Sequence, residues 1–215
     1  MQRSPAAAAV RSASKADSAR SVSDYFTILG VPRTFREEDA AQLERRFHDL
    51  QRRHHPDHAA TRGEDALKES IDHSSRINEA YRTLREPTNR TKYLLLLYGY
   101  SVEQSKQIPI DLLELVMEVQ EKVATMQAGS KLGGELLGIE QDLNTRIKTH
   151  KAEIDSLRRE WDASAPHSEP GGDLSVSEKK LLESLTKALA TRAYLQTLYD
   201  TLTAAKDGRS LVLKH

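Results

Sequence analysis

The sequence predicts an all-α fold, with an N-terminal helical hairpin followed by a C-terminal three-helix bundle. Apolar residues recur at intervals of three and four along five segments of the 215-residue chain, the spacing that places them on one face of a helix. The composition agrees with this, because 38% hydrophobic and 30% charged residues suit helices that each expose a polar face. Residues 99–110 lie between the two sets of helices, and we interpret them as a linker.

Charge and residue usage exclude several classes of protein. Lys and Arg number 32, as do Asp and Glu, so no bulk basic charge attracts nucleic acid or an anionic membrane. The absence of cysteine excludes disulfides, thiolate zinc sites and iron–sulfur clusters held by the chain's own thiolates. The longest apolar run, Tyr93 to Tyr98, is too short to cross a bilayer. We therefore expect no nucleic-acid partner, no membrane partner and no cofactor.

The first 22 residues have a composition of their own. They consist mostly of Ala, Ser and Arg, and Asp17 is their one acidic residue. This predicts a disordered tail for residues 1–22, with an organelle transit peptide as the alternative. Because Asp17 interrupts the weak transit pattern, we expect a cytoplasmic protein, and the mitochondrial matrix is the alternative.

Three helices are predicted at the start of the first domain, which we place at residues 23–98. Asp24 is a typical N-cap for a short first helix, which Gly30 would end. The second helix, from about 38 to 54, and the third, from about 67 to 85, carry equally spaced apolar stripes, which predicts an antiparallel hairpin. The stripes consist of Leu43, Phe47 and Leu50 on the second helix and Ile77, Ala80, Tyr81 and Leu84 on the third.

The loop that joins the two hairpin helices carries the first candidate site. Pro56 has no N–H group and disfavours the helical conformation at His55, so it ends the second helix. His55 and Asp57 are thereby held at a rigid corner beside an arginine-rich face of that helix. Such a pair next to a positive strip predicts a docking surface for an acidic partner. The arginines are Arg45 and Arg52 on that face, with Arg46 and Arg53 flanking it.

A metal site is the alternative interpretation of the histidines in this loop. His54 and His58 are four residues apart with Asp57 between them. However, Pro56 breaks the helix that would align the two rings on one face. We therefore expect no metal here.

The second domain, which we place at residues 111–208, begins with a helix that has two distinct faces. Asp111 followed by Glu114 is a capping-box pattern, and the helix is expected to end near Gln127. One face is an apolar core stripe. The opposite face combines an apolar pair with carboxylates, which predicts a binding surface, although two isolated exposed apolar residues are the alternative. Its members are Leu113, Glu114, Met117, Glu118, Glu121 and Thr125.

Two longer helices complete the predicted bundle. The first runs from about residue 134 to 161. The last starts at Ser175, with Glu178 three residues later as a capping box. Tyr194 falls nearly opposite the inward stripe of this last helix, so it is a second candidate contact. The expected inward residues are Leu181, Leu185, Ala188, Leu195, Tyr199 and Leu202.

The segment from Asp24 to Tyr98 resembles a J-domain, the module that binds DnaK-type chaperones and stimulates their ATPase. The resemblance is carried by the helix order, the basic second helix and the motif His55-Pro56-Asp57 in the loop. It implies that these three residues contact the chaperone. The other matching segments are Tyr25-Phe26, Leu29-Gly30-Val31 and Ile77-Asn78-Glu79-Ala80-Tyr81, and the implied electrostatic contacts are Arg45, Arg46, Arg52 and Arg53.

A J-domain followed by three antiparallel helices resembles one subfamily, the HscB-like co-chaperones of iron–sulfur cluster assembly. The acidic helix, with Met117-Glu118 and Glu121, is similar to the helix with which that family binds the cluster scaffold IscU. Thr125 departs from the family, which often has an acid at that position. The scaffold contacts that the resemblance implies are Leu113, Glu114, Met117, Glu118, Glu121 and Tyr194.

The resemblance implies a co-chaperone, not an enzyme. It would stimulate the ATPase of a DnaK/HscA-type chaperone and deliver the IscU-type scaffold to it, and we expect a monomer or weak homo-oligomer. The alternatives are a J-domain co-chaperone with a different client, or a bundle that forms homodimers through Leu113 and Met117. A hydrolase is disfavoured, because the sequence contains no glycine-rich phosphate loop, GxSxG motif or metal-ligand helix.

Overall fold

The protein is all-helical and has two parts. The computed structural model describes residues 24–35, 40–55, 57, 63–102, 110–128, 134–164 and 167–208. Within these residues there are seven α-helices, one short 3-10 helix and no β-strand, so the predicted fold class is confirmed. The chain divides into two compact units, the first ending at Tyr93 and the second beginning at Leu94.

Two of the predicted segments fall mainly outside this part of the chain. The tail, residues 1–22, and most of the linker, residues 99–110, lie outside the described residues. The predicted domain limits, 23–98 and 111–208, stay predictions. None of the described helices is long and apolar enough to cross a membrane.

The first unit begins with a short, tightly capped helix. Its helices are α1 (Tyr25–Leu29), α2 (Ala40–Arg53), α3 (Glu64–Arg85) and the first part of α4 (Pro87–Leu97). As predicted, the Asp24 carboxylate caps α1 and accepts the N–H groups of Phe26 and Thr27 at 2.9 and 3.1 Å. Arg33 donates to the same carboxylate at 2.9 Å. Gly30 ends α1 with a φ of 63°, a left-handed conformation that glycine adopts without strain.

The helices α2 and α3 form the predicted hairpin. Leu43 of α2 is buried, and the rings of Phe47 and Tyr81 stack with their centroids 4.0 Å apart. One turn further towards the loop, the contact becomes polar, because Nε2 of Gln51 donates to Oδ1 of Asn78 at 2.8 Å. The buried residues of the α3 stripe are Ile77, Ala80 and Leu84.

The second unit is a three-helix bundle around one apolar core. A 3-10 helix, Ile110–Leu112, leads into α5 (Leu113–Gln127), which is followed by α6 (Gly134–Ala163) and α7 (Val176–Lys206). The last helix, α7, packs against both α5 and α6. The buried members of the shared core are Leu112, Leu115, Val116, Val119, Leu136, Ile139, Leu143, Leu195, Leu198 and Leu202.

One of the two predicted capping boxes is confirmed. The N–H of Glu178 donates to Oγ of Ser175 at 3.2 Å, and the Glu178 carboxylate accepts the N–H of Ser175 at 2.8 Å, so the box at α7 is confirmed. The predicted box of Asp111 and Glu114 stays a prediction, because the Asp111 side chain is not among those that the structure describes. Leu112 is the N-cap of α5 and no side chain caps it. The chain enters α5 through the 3-10 turn, a common start for an α-helix.

Glu178 also binds the loop that precedes α7. Its carboxylate accepts the backbone N–H and the hydroxyl of Ser168 at 2.9 and 3.1 Å, in addition to the N–H of Ser175. The bond from the Ser168 backbone contributes most, and together with the other donors it outweighs burial and lowers the pKa of Glu178 to about 2. Glu178 therefore remains ionised in the folded protein well into the acid range.

We expect Glu178→Gln to destabilise the second unit at neutral pH but not in acid. The ordinary pKa of a glutamate is 4.5, and that of Glu178 in the folded protein is about 2. The ionised carboxylate therefore stabilises the fold fully above pH 4.5, and this stabilisation is lost as the pH falls to about 2. The substitution removes the charge at every pH, and the free energy of unfolding at neutral pH should drop by about 2 kcal/mol. Urea unfolding across this pH range measures the difference, with exposed Glu160→Gln as the matched control. A difference that does not change with pH would contradict the assignment.

Candidate functional site

The first candidate site lies where α2 ends. The His55 side chain is 55% exposed and the Asp57 side chain is 86% exposed. The N–H of Asp57 donates to Nδ1 of His55 at 3.3 Å, and the Asp57 carboxylate lies 3.3 Å from the same nitrogen. The two side chains are thus adjacent and accessible, as the sequence predicts. Pro56, the third member of the motif, lies outside the described residues.

The four arginines predicted as electrostatic contacts differ in their exposure. Arg45, Arg52 and Arg53 are exposed on α2, and Arg52 forms an ion pair with Asp49 one turn earlier. Arg46 is partly buried instead. Its guanidinium lies over Gly30, where an added Cβ would come within 2.6 Å of Nη1. The accessible basic surface therefore consists of three arginines, whereas Arg46 lies against the end of α1.

The apolar periodicity of the sequence does not predict a set of polar contacts at the loop end of the hairpin. The backbone carbonyl of His54 accepts hydrogen bonds from the hydroxyls of Ser70 and Ser74 at 2.8 and 2.9 Å. The His54 ring also stacks on His73, with centroids 5.4 Å apart. A signal was present, because Ser70, Ser74 and Asn78 recur every four residues and so share one face of α3. A search for apolar stripes ignores such a polar column.

The second candidate site is the outer face of α5. Leu113 and Met117 are 44% and 70% exposed, although both are large apolar residues. They lie one turn apart, with three exposed carboxylates on the same face, while the opposite face of α5 packs in the core. The two-faced character predicted for this helix is confirmed. The exposed carboxylates belong to Glu114, Glu118 and Glu121.

Tyr194 does not lie where the sequence predicts. It is partly buried and packs against the core of the second unit, and burial raises the pKa of its hydroxyl. The stripe analysis was wrong here because α7 packs against two helices and buries more than one stripe. Leu182 and Leu198, which are outside the predicted stripe, are buried for the same reason, while the predicted Leu181 is only partly buried.

Comparison with known proteins identifies the first unit. The family described as "DnaJ domain" matches residues 24–93. Residues 24–93 are a DnaJ domain. The match ends at Tyr93, the last residue of the first structural unit. His55 and Asp57 therefore lie in the loop of a J-domain hairpin, and the exposed arginines lie on its second helix.

Solved structures extend the similarity beyond the J-domain. Chaperone HscB from Vibrio cholerae is 22% identical with a TM-score of 0.55, and the match covers 86% of this chain and 99% of that one. The human co-chaperone protein HscB is 24% identical with a TM-score of 0.52, covering 86% of this chain and 83% of that one. These values establish a shared fold in which a J-domain precedes a helical bundle.

Neither candidate surface is built like a metal centre. Among the residues that the structure describes, no three His, Asp or Glu side chains are grouped to hold a metal ion. In the J-domain loop, His54 contacts His73, and His58 lies outside the described residues. The two surfaces present side chains that suit docking of another protein.

Proposed function

We propose that this protein is a co-chaperone that stimulates the ATPase of a DnaK/HscA-type chaperone and delivers an IscU-type iron–sulfur scaffold to it. The observation that carries the proposal is the DnaJ domain with His55 and Asp57 exposed at the end of a basic helix. The HscB-like fold, which covers 86% of the chain, supports iron–sulfur cluster assembly as the setting. We propose the cytoplasm as the compartment on the basis of the sequence, with the mitochondrial matrix as the alternative.

The first contact is electrostatic. Arg45, Arg52 and Arg53 present positive charge to solvent next to the loop, which suits an acidic surface on the chaperone. Such exposed charges steer association and set orientation more than they add affinity. His55 and Asp57 then make the short-range contacts. The J-domain performs no chemistry itself, and it promotes hydrolysis by binding the chaperone's hydrolysis-competent state more tightly than its other states.

The second contact is apolar at its centre and acidic around it. Leu113 and Met117 would enter an apolar depression on the scaffold, while Glu114, Glu118 and Glu121 would face basic residues around it. Because the two contacts lie on different units, one chain can hold the scaffold and the chaperone together. Joining them raises the effective concentration of the client at the chaperone.

An ATPase assay with the full chain tests this proposal. The chain should accelerate ATP hydrolysis by a DnaK-type chaperone, and an IscU-type scaffold added with it should accelerate hydrolysis further. The scaffold alone and the chain alone are the controls. A saturating concentration of the chain that leaves the hydrolysis rate at its basal value would contradict the first half of the proposal. Stimulation that the scaffold leaves unchanged would contradict the second half.

A further inference from the structure

We propose that Ser70 and Ser74 are positioning residues for the chaperone-binding loop, which they hold in place through the carbonyl of His54. Both hydroxyls belong to α3, while the carbonyl lies at the end of α2, one residue before His55. The inference rests on the proposed function, since it concerns how His55 and Asp57 are presented to the chaperone. It assigns a role to two residues that lie outside the motif itself.

The carbonyl of His54 belongs to a helix end, where backbone acceptors need outside donors. The N–H of His54 donates to the carbonyl of Leu50 at 3.0 Å, so helical hydrogen bonding continues to this residue. The last carbonyls of a helix have no partner within it. Ser70 and Ser74 supply two donors from α3, at 2.8 and 2.9 Å, which match the two lone pairs of the oxygen.

Fixing this oxygen also orients the start of the loop. The carbonyl of His54 and the backbone nitrogen of His55 belong to the same planar peptide unit. Hydrogen bonds are directional, so two donors from one rigid helix restrict both the position and the tilt of that plane. The orientation of this peptide plane sets the direction in which the chain leaves α2, and hence the placement of His55.

The described contacts between α2 and α3 that lie further from the loop constrain this point less. The stacked pair of Phe47 and Tyr81 lies seven residues before His54, about 10 Å along the helix axis. Apolar packing is also less directional than hydrogen bonding, so it tolerates small rotations of α2. The bond between Gln51 and Asn78 lies closer, but still three residues before His54. The serines and the His73 ring both contact His54, the residue next to the motif, and the serines bond its backbone.

The double variant Ser70→Ala, Ser74→Ala in the full chain tests this assignment in the chaperone ATPase assay. We expect the concentration that gives half-maximal stimulation to rise about tenfold, because a less ordered loop must be organised on binding. Maximal stimulation should persist, since His55 and Asp57 are retained. Exposed Ser75→Ala on the same helix is the matched control and should behave as the unmodified protein. Replacing both serines by threonine keeps the hydroxyls and should restore the original concentration dependence.

A second readout separates positioning from a general loss of stability. The backbone amide chemical shifts of His55 and Asp57, measured by NMR, should change in the double variant and not in Ser75→Ala. Each single variant leaves one donor and provides the same test if the double variant does not fold. Unchanged shifts, or an unchanged half-maximal concentration while Asp57→Asn abolishes stimulation, would overturn this inference alone. Full stimulation by Asp57→Asn would overturn the proposed function and this inference with it.

Discussion

Asp57→Asn should abolish stimulation of the chaperone ATPase while leaving scaffold binding intact. The side chain is 86% exposed, so the substitution removes a charge without disturbing a packed region. Asparagine is nearly the same size, and the backbone N–H that donates to His55 is kept. Removing a charge that is desolvated in a protein interface typically costs about 2–5 kcal/mol of binding free energy. This corresponds to a loss of affinity of roughly 30-fold to several thousandfold. Hydrolysis at a fixed, moderate concentration should therefore fall to the basal rate.

Two controls make this result specific. Asp72→Asn also removes one negative charge, from the exposed surface of α3, and should leave stimulation unchanged. Calorimetric titration of an IscU-type scaffold into Asp57→Asn should give the same dissociation constant as the unmodified chain, because α5 belongs to the other unit. A variant that stimulates hydrolysis fully would disprove the role assigned to the motif.

Leu113→Ser combined with Met117→Ser should weaken scaffold binding by about a hundredfold, since each lost apolar anchor removes on the order of 1–2 kcal/mol of burial. Both side chains are largely exposed in the free protein, so the change should barely alter the free energy of unfolding. Stimulation of the chaperone in the absence of scaffold should be unaffected. Calorimetry with the full chain measures the first effect, and urea unfolding measures the second.

Leu137→Ser is the matched control for this pair. Leu137 is 56% exposed on α6, so its substitution removes a comparable exposed apolar side chain from a different helix of the same unit. Scaffold affinity should be retained in this variant. Light scattering of both variants tests the homodimer alternative. A fall in mass caused by Leu113→Ser and Met117→Ser, with scaffold affinity unchanged, would assign the surface to self-association instead.

The helices and most of their faces could be predicted from the sequence because the signals are local. Asp24 and Gly30 bound a helix of only five residues, and both act as their residue types predict. The outer face of α5 was also predictable, since Leu113 and Met117 fall opposite a continuous apolar stripe. The site motif needed the resemblance to J-domains as well, because three loop residues carry no fold signal of their own.

Only the tertiary structure shows which polar residues, and which residues outside the apolar stripes, contact residues that are distant in sequence. Tyr194 packs against the core because α7 contacts two helices, a fact that its own periodicity does not contain. Arg46 lies against Gly30, although on α2 alone it looks like any flanking arginine. Ser70 and Ser74 reach His54 only once the hairpin closes with the correct register. The sequence by itself determined the helices and the caps of α1 and α7, since these depend on neighbours within a few residues. Contacts between helices depend on the packing of several elements at once, and that packing set the surroundings of each functional side chain.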